Sequence, residues 1–261
     1  MRSEADVRRV FDLCNEGLPK AEIARHTGVS RTQVRRWLEG DLACVLGSPM
    51  RIRAVRDHDG MQCHLRNSVD GGAYSYLLGQ YLGDGHISEG RRHVYRLRIT
   101  ACDAYPEIIT ACEVAMRSIM PSSKVGSVQR IGCTDLYSYS KHWPCLFPQH
   151  GPGRKHHRRI ILEQWQKRIA LELYPEQLLR GLIHSDGCRA TNTIRHQLVS
   201  GAKQYSYPRY FFYNESADIR WLFIEACIYL EIEFRYTKAN TISVAQRESV
   251  TKLDSFVGPK R

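Results

Sequence analysis

Leu-Leu-Gly-Gln-Tyr-Leu-Gly-Asp-Gly at residues 77–85 and Leu-Arg-Gly-Leu-Ile-His-Ser-Asp-Gly at residues 179–187 are two versions of one pattern. Each version predicts the end of a helix in which small residues recur four positions apart. Small residues at that spacing let two helix backbones touch. We therefore expect the two helices to pack against each other through four small residues: Gly79, Gly83, Gly181 and Ser185.

Each pattern closes on an Asp-Gly pair, Asp84-Gly85 and Asp186-Gly187. A glycine suits the left-handed position just beyond a helix C-terminus. An aspartate in the last turn is disfavoured, because the helix dipole is negative at that end. The same unfavourable choice, made twice at the same place, is typical of a functional site. If the helices pack together, Asp84 and Asp186 lie side by side.

The composition indicates a polyanionic partner. The chain has 261 residues and a formal net charge of +11, which favours nucleic acid, although a basic enzyme without such a partner remains an alternative. No apolar stretch reaches the roughly 18–20 residues that span a bilayer, and the N-terminus lacks the apolar core of a secretory signal. The nine cysteines follow no regular spacing and are expected to be reduced. These features predict a cytoplasmic protein without membrane association.

Residues 4–40 predict three short helices, with a tight turn at Gly28 and Ser30 as the N-cap of the third. This pattern is similar to the tri-helical DNA-binding domains of resolvases and related regulators. We expect a helix-turn-helix domain over residues 1–42; the alternative is a packing module with a solvated basic face. The residues expected on or near the recognition helix, able to contact bases or phosphates, are Ser30, Arg31, Thr32, Gln33, Arg35 and Arg36.

Residues 43–72 show no sustained period and contain several glycines, which predicts a linker. Two cysteines and two histidines in this stretch are candidate zinc ligands: Cys44, His58, Cys63 and His64. No Cys-x-x-Cys pair accompanies them, which disfavours a zinc site.

Residues 73–261 are predicted to be an internal duplication, because similar elements follow both Asp-Gly pairs. The expected halves cover residues 73–150 and 175–261, joined by residues 151–174. Periodicity predicts helix, two strands, helix, two strands and helix in each half. The segments that we assign as strands are 93–100, 125–130, 136–140, 194–199, 207–213, 232–236 and 242–245, and the helices after the motifs are 105–120, 217–230 and 249–256.

The two motifs, each opening the same predicted unit, resemble those of the LAGLIDADG homing endonucleases in their single-chain form. The resemblance implies an α+β protein: a pseudo-two-fold duplicated αββαββα fold, here preceded by the small all-α helix-turn-helix domain. In that family the two motif helices form the interface between the halves, and two four-stranded sheets form a saddle on the major groove of double-stranded DNA. It also implies a monomer whose two halves are related by internal symmetry.

The same resemblance implies that the closing acidic residues, Asp84 and Asp186, bind Mg²⁺ or Mn²⁺ and cleave DNA, with Gly83 and Ser185 as further metal contacts. Chemistry agrees, because two close carboxylates repel unless a cation lies between them, and hard oxygen ligands suit Mg²⁺. Family members place a lysine or glutamine near the end of each half. The candidates here are Lys141 in the first half and Gln246 with Arg247 in the second, where no lysine matches, so equal cleavage of both strands is left open.

Polar, basic and aromatic side chains alternate along the predicted strands, and a basic run follows at 154–159. Such a face suits a nucleic-acid groove, whereas the alternative is an ordinary solvated face. The residues expected to bind DNA are Arg96, Arg98, Arg130, Tyr137, Tyr139, Arg154, Lys155, Arg209, Tyr213 and Arg235. Trp165, Tyr174 and Trp221 are expected in the core, and His184 is expected to be packed.

Two functions follow from this reading. The first is a sequence-specific, metal-dependent homing endonuclease that hydrolyses phosphodiester bonds, favoured because both acidic residues remain. The alternative is a catalytically weak or inactive transcription regulator on the same fold, which the helix-turn-helix domain favours. An intein is disfavoured, because the chain closes on Gly258-Pro259-Lys260-Arg261 without the splicing residues His-Asn followed by Cys, Ser or Thr.

Overall fold

A computed structural model describes residues 4–38, 64–198, 201–258 and 260. The N-terminal segment contains three helices: α1 (Glu4–Asn15), α2 (Lys20–Thr27) and α3 (Arg31–Leu38). Gly28 adopts the left-handed conformation between α2 and α3, with φ 65°, and the Ser30 hydroxyl accepts a hydrogen bond from the Gln33 backbone N–H at 3.2 Å. The expected turn and N-cap are therefore present. The zinc candidates Cys44, His58 and Cys63 lie outside the described residues.

The first half is a helix followed by a four-stranded antiparallel sheet with helices on one side. Its strand order is β1-β2-β4-β3. Its elements are α4 (Gly71–Asp84), β1 (Gly85–Glu89), β2 (Tyr95–Cys102), α5 (Pro106–Ile119), β3 (Val125–Arg130), β4 (Cys133–Ser140) and α6 (Trp143–Leu146).

The second half repeats the same order of elements. The connection to it contains the short helix α7 (Gln164–Lys167), which continues as a π-helical turn over Arg168–Leu173. The second sheet has the order β5-β6-β8-β7, equivalent to that of the first. Its elements are α8 (Pro175–Asp186), β5 (Gly187–Leu198), β6 (Gly201–Tyr213), α9 (Ala217–Tyr229), β7 (Arg235–Lys238), β8 (Thr241–Val244) and α10 (Arg247–Phe256).

The predicted α+β architecture with a duplicated helix-strand-strand-helix-strand-strand-helix unit is confirmed. The largest difference concerns the first strand of each half. β1 had no predicted counterpart, and β5 begins at Gly187 rather than at residue 194. Both strands start on the glycine that directly follows the motif helix, so no turn residues separate helix from strand. Without such a punctuation signal, periodicity could not locate the start of the strand.

The helix-turn-helix segment contacts the second half. The Phe11 ring lies 5.4 Å from Trp221 of α9 and 5.5 Å from Tyr236 of β7. Arg8 forms an ion pair with Asp218, whose carboxylate also accepts a hydrogen bond from the Ile160 backbone N–H at 2.8 Å. The first half follows the helix-turn-helix segment in the sequence, but the contacts of α1 are with the second half.

Of the three aromatic residues predicted in the core, the structure buries Trp221 and leaves Trp165 half-buried against Tyr74, 5.2 Å between ring centroids. Tyr174 is 42% exposed, so its prediction is wrong. One edge of its ring lies against Gly71 and the other edge lies near Gly72, at the start of α4.

Among the described residues, no helix is long and apolar enough to cross a membrane. The seven cysteines of this part of the chain are free thiols, as expected for a reduced protein.

Candidate active site

The two motif helices, α4 and α8, are in direct backbone contact at the predicted small residues. A Cβ atom built on Gly79 would lie 2.7 Å from the Leu178 carbonyl oxygen, and one on Gly181 would lie 2.2 Å from the Tyr76 carbonyl oxygen. Lower along the same seam, a Cβ on Gly83 would lie 2.2 Å from the Ser185 hydroxyl oxygen. Distances this short leave no room for a methyl group. The seam therefore brings the C-terminal ends of both helices together.

The glycine after each aspartate is needed for space rather than for a left-handed backbone. Gly85 has φ −88° and Gly187 has φ −109°, both extended, so the expected left-handed cap is wrong. A Cβ on Gly85 would lie 2.4 Å from the Tyr81 Cα, and one on Gly187 would lie 2.8 Å from the Ile183 Cα. The chain turns directly from helix into strand, and only glycine fits the close approach.

Asp84 and Asp186 end the two helices at this seam and act on each other electrostatically. Asp186 Oδ2 lies 2.8 Å from the place that a Cβ on Gly83 would take, and it accepts a hydrogen bond from the Asn214 amide at 2.7 Å. Burial raises the pKa of Asp186 to about 6, and the negative charge of Asp84 adds to this effect. Burial also raises the pKa of Asp84, although this residue remains partly exposed to solvent at the end of α4. The pair is therefore poised to take up a cation.

Two lysines lie at the carboxylates in pseudo-symmetric positions. Lys155 Nζ donates hydrogen bonds to the carbonyl oxygens of Gly83 (2.8 Å) and Gly85 (2.6 Å). Lys260 Nζ donates to the equivalent carbonyls of Ser185 (3.2 Å) and Gly187 (3.1 Å). A cation at these carbonyls suits the negative end of each helix dipole, and it offsets the aspartate placed there.

The charges of both lysines reach both aspartates. Lys155 and Lys260 lower the pKa values of Asp84 and Asp186, against the larger effect of burial. Burial in turn lowers the pKa of Lys155 to about 8, against the opposing pull of the two carboxylates. Burial lowers the pKa of Lys260 as well. The four groups thus form one electrostatic cluster.

The structure places the three residues predicted to assist the carboxylates in exposed positions. Lys141 is exposed in the turn after β4. Gln246 and Arg247 are exposed at the start of α10, where the Gln246 side chain accepts a hydrogen bond from Ser249. These candidates came from the family resemblance, which implies a lysine or glutamine near the end of each half. The lysines whose charges act on both carboxylates are Lys155 and Lys260, in the segments that follow each half.

The donor set fits a Mg²⁺ or Mn²⁺ ion held jointly with a substrate phosphate. Among the described residues there is no group of three or more metal-ligating side chains. Mg²⁺ commonly takes only one or two protein carboxylates and completes its shell with water and phosphate oxygens. Asp84 and Asp186, two carboxylates whose pKa values burial raises, meet that requirement. The backbone carbonyls of Gly83 and Ser185, the other predicted ligands, accept hydrogen bonds from the two lysines.

A cleft of about 410 Å³ opens beside the carboxylate pair. Asp186 and Lys155 lie at its base, and the exposed Arg154 and His156 line its rim. A positive rim above a carboxylate pair suits a phosphodiester backbone that approaches from solvent.

The first sheet presents the predicted polar residues on one face. Arg98 pairs with Tyr137 and Arg96 with Tyr139 across β2 and β4, so these four side chains point the same way, opposite to the buried Leu97. The Arg96 guanidinium lies 4.6 Å from the centroid of the Tyr137 ring.

The Asp135 carboxylate pairs with two of the arginines on this face. It accepts hydrogen bonds from Thr100 at 2.6 Å and from Arg130 at 2.5 Å, and the Arg98 guanidinium lies 3.9 Å away. Arg98 and Arg130 are thus oriented by a carboxylate on their own sheet.

The second sheet matches the prediction less well. Tyr213 and Arg235 are exposed, but Arg209 is only 8% exposed, contrary to the expectation that it reaches outward. Its guanidinium donates a hydrogen bond to Ser243 at 3.0 Å and lies 5.0 Å from the Phe211 ring centroid. Stacking on a neighbouring ring and bonding across the strand bury a side chain that alternation alone places on the open face.

In the helix-turn-helix segment, the polar side of α3 faces outward. Val34, Trp37 and Leu38 are buried. Of the residues predicted to contact DNA here, Gln33 is half-buried. The others are exposed: Ser30, Arg31, Thr32, Arg35 and Arg36.

Comparison with known proteins found one matching family model and several similar solved structures. A family model described as a homeodomain-like domain matches residues 1–40, the region of the predicted helix-turn-helix domain. A structure of I-DmoI in complex with DNA and Mn is 13% identical, with a TM-score of 0.44, and covers 72% of this chain and 97% of that one. The LAGLIDADG meganuclease I-AabMI bound to uncleaved DNA is 10% identical, with a TM-score of 0.44, covering 70% and 82%.

Mesophilic variants of the homing endonuclease I-DmoI are 13% identical, with a TM-score of 0.45, covering 71% of this chain and 89% of theirs. No curated protein matches the chain in sequence. Because these identities and scores are low, the assignment of the fold rests on the order of elements and strands described above.

The sequence analysis did not predict two residues at the site, Lys260 and Asn214. Lys260 could have been found from its spacing, because it follows Asp186 by nearly the same number of residues as Lys155 follows Asp84. Asn214 had none, because a single asparagine after a strand is most simply explained as a turn residue.

Proposed function

We propose that the protein binds double-stranded DNA across its two sheet faces and hydrolyses phosphodiester bonds at the carboxylate pair, with Mg²⁺ or Mn²⁺ as cofactor. The observation that carries the proposal is the cluster of Asp84, Asp186, Lys155 and Lys260 at the glycine seam. Stability alone does not explain two carboxylates with raised pKa values placed at unfavourable helix ends.

Each residue of the cluster has a distinct task in this proposal. Asp84 and Asp186 hold the divalent metal, which supplies Lewis-acid chemistry for phosphodiester hydrolysis. Asn214 fixes the orientation of the Asp186 carboxylate through its 2.7 Å hydrogen bond. Lys155 and Lys260 keep both carboxylates ionised and place positive charge where a scissile phosphate gains negative charge.

The polar sheet faces and the helix-turn-helix domain supply DNA affinity in this proposal. Arg96, Arg98 and Tyr139 of the first sheet, with Tyr213 and Arg235 of the second, contact the DNA groove. Because phosphate contacts release counterions, we expect the affinity to fall steeply with salt concentration.

The first prediction is that Asp84→Asn and Asp186→Asn each abolish DNA cleavage while leaving DNA affinity within about threefold, because each removes a metal-binding charge without removing a basic contact. The measurement is a cleavage selection on a randomised duplex library, with Mg²⁺, with Mn²⁺ and with chelator. Binding is measured separately on the recovered sequences.

A second candidate function, a DNA-binding regulator on the same fold, is favoured by the exposed basic helix α3 in the helix-turn-helix domain. Tight, sequence-specific binding with no metal-dependent product at any bound site would favour the regulator. Metal-dependent products that vanish with either Asp→Asn variant would exclude it.

A further inference from the structure

The segment after α10 carries Lys260 into the site, and its course depends on a buried anchor. α10 ends at Phe256, and Val257 is fully buried. Gly258 then takes a left-handed backbone, with φ +79°, which turns the chain toward α8. Lys260, which donates to the Ser185 and Gly187 carbonyls, lies three residues after this buried valine.

The Val257 carbonyl oxygen is bound by His184, which lies two residues before Asp186 on α8. His184 Nε2 is 2.6 Å from that oxygen. A carbonyl oxygen only accepts, so Nε2 carries the hydrogen, and a neutral ring then has an unprotonated Nδ1. Tyr76 Oη lies 3.1 Å from Nδ1 and donates to it.

The anchor continues into the first half. Gln80 Nε2 donates to Tyr76 Oη at 3.1 Å, which leaves the single tyrosine proton for His184. Tyr76 and Gln80 belong to α4, His184 belongs to α8, and Val257 follows α10. One chain of hydrogen bonds thus crosses the glycine seam and ends on the segment that bears Lys260; Cys112 Sγ, 3.8 Å from Tyr76 Oη, is a further partner of that hydroxyl.

We propose that His184 is a positioning residue for Lys260, the lysine of the second half. It does not position Lys155, the lysine of the first half. The role in cleavage rests on the proposed nuclease function, whereas the positioning itself does not. The equivalent position in the first half is Leu82, which is buried and apolar. Lys155 is positioned differently, by a loop in which Arg158 donates to the carbonyls of Gly153 at 2.8 Å and Gln149 at 3.1 Å.

The first test measures lysine accessibility and needs no DNA. The full-length protein is labelled with a trace of acetic anhydride, and the acylation of each lysine is read by mass spectrometry. His184→Leu, which installs the side chain of the first half, is expected to raise the labelling of Lys260 by about 10-fold, the scale of a lost supporting contact. Lys155, the internal control, is expected to stay within about twofold of wild type by the same reasoning.

His184→Gln is the conservative variant, because its amide nitrogen can still donate to the Val257 carbonyl; it is expected to restore low labelling of Lys260. Ile232→Val, a packing loss in the same half away from this chain of hydrogen bonds, is expected to label as wild type. Unchanged Lys260 labelling in His184→Leu, or an equal rise at Lys155, overturns the proposal.

The second test resolves cleavage by strand, on a duplex whose strands carry different dyes. Lys260→Met first identifies the strand that depends on Lys260. His184→Leu is expected to slow the cleavage of that strand by about 10-fold and to leave the other within about twofold. Equal slowing of both strands overturns positioning in favour of general packing. If wild type cuts no DNA but Lys260 labelling rises in His184→Leu, the nuclease function fails and the positioning stands.

Discussion

At the scale of single residues, the candidate site depends on glycines that let two helices touch. Gly181 shows this most clearly, because a Cβ there would lie 2.2 Å from the Tyr76 carbonyl oxygen, a backbone atom that cannot move aside as a side chain would. A methyl group at this position must push α4 and α8 apart. The positions of Asp84 and Asp186 follow those of the helices, so a change in the seam is also a change in the site.

We predict that Gly181→Ala lowers the free energy of unfolding by roughly 3 kcal/mol, the upper range for overpacking. Gly72→Ala is the matched control on α4, since its Cβ would meet its nearest neighbours at 3.6 Å; it is expected to raise stability by up to about 1 kcal/mol. Urea denaturation followed by circular dichroism measures both. Equal, small effects of the two substitutions would show that the helices are not in close contact.

At the scale of the elements, sequence patterns located most helices and strands and the contact between the two motif helices, but not the other contacts between elements. The duplicated order followed from periodicity, and α5, α9 and β3 lie within two residues of their predicted bounds. β1 was not predicted, because it starts on Gly85 with no turn residues between it and α4. Arg209 escaped because alternation assigns a side chain to a face and says nothing about a ring that covers it.

The candidate site divides in the same way. Asp84, Asp186 and the small residues could be predicted from the sequence, because they recur at fixed spacing in both motifs. Lys141, Gln246 and Arg247 were chosen because the resembled family places a lysine or glutamine near the end of each half, whereas the lysines whose charges act on both carboxylates are Lys155 and Lys260. Which loop returns to a helix end depends on tertiary folding, as the hydrogen bonds of Lys260 to the Ser185 and Gly187 carbonyls show, and no local pattern contains that information.

The face of the first sheet makes a pH-dependent contribution to stability through Asp135. Burial alone would raise the pKa of Asp135, but hydrogen bonds from Thr100 and Arg130, with the charge of Arg98, outweigh it and hold the pKa below its usual 3.8. A lowered folded-state pKa means that the ionised form stabilises the fold. This contribution is fully present above the unfolded-state pKa, and it is lost as the pH falls through the folded-state value.

Accordingly, Asp135→Asn is expected to lower the free energy of unfolding by about 2 kcal/mol at pH 7, the scale of hydrogen bonds to a charged group. The loss is expected to shrink as the pH approaches 3, where wild type begins to lose the same contribution. Urea midpoints at both pH values test this. Glu113→Gln, which removes an exposed ion pair with Arg117 on α5, should change stability by less than about 0.5 kcal/mol at either pH; a pH-independent loss in Asp135→Asn would contradict the assignment.

At the scale of the whole molecule, the helix-turn-helix domain makes an otherwise pseudo-symmetric protein asymmetric. Its helix α1 is held on the second half by Phe11, packed between Trp221 and Tyr236, and by the Arg8–Asp218 ion pair. Asp218 is 8% exposed and also receives the Ile160 N–H and the charge of Arg159. In the proposed function, α3 therefore adds its DNA contacts next to the second half rather than next to both halves.

We therefore expect the DNA footprint to extend further at one end than at the other, beyond the half-site read by the second sheet. The double variant Arg35→Ala, Arg36→Ala is expected to shorten that end alone in hydroxyl-radical footprinting. Arg9→Ala, which removes the same kind of charge from the exposed side of α1, should leave the footprint length unchanged. A footprint of equal reach at both ends, or one indifferent to the double variant, would contradict this placement.

The positions of the two lysines also fix the size of the repeated unit. Lys155 follows Asp84 by 71 residues, and Lys260 follows Asp186 by 74. Lys155 therefore belongs to the first unit, although residues 151–174 were expected to be a connection between halves. If the chain were cut between residues 159 and 163, the first fragment would carry Asp84 and Lys155, and the second would carry Asp186 and Lys260. Neither fragment would hold a complete site, and reassociation along the glycine seam would rebuild it from both.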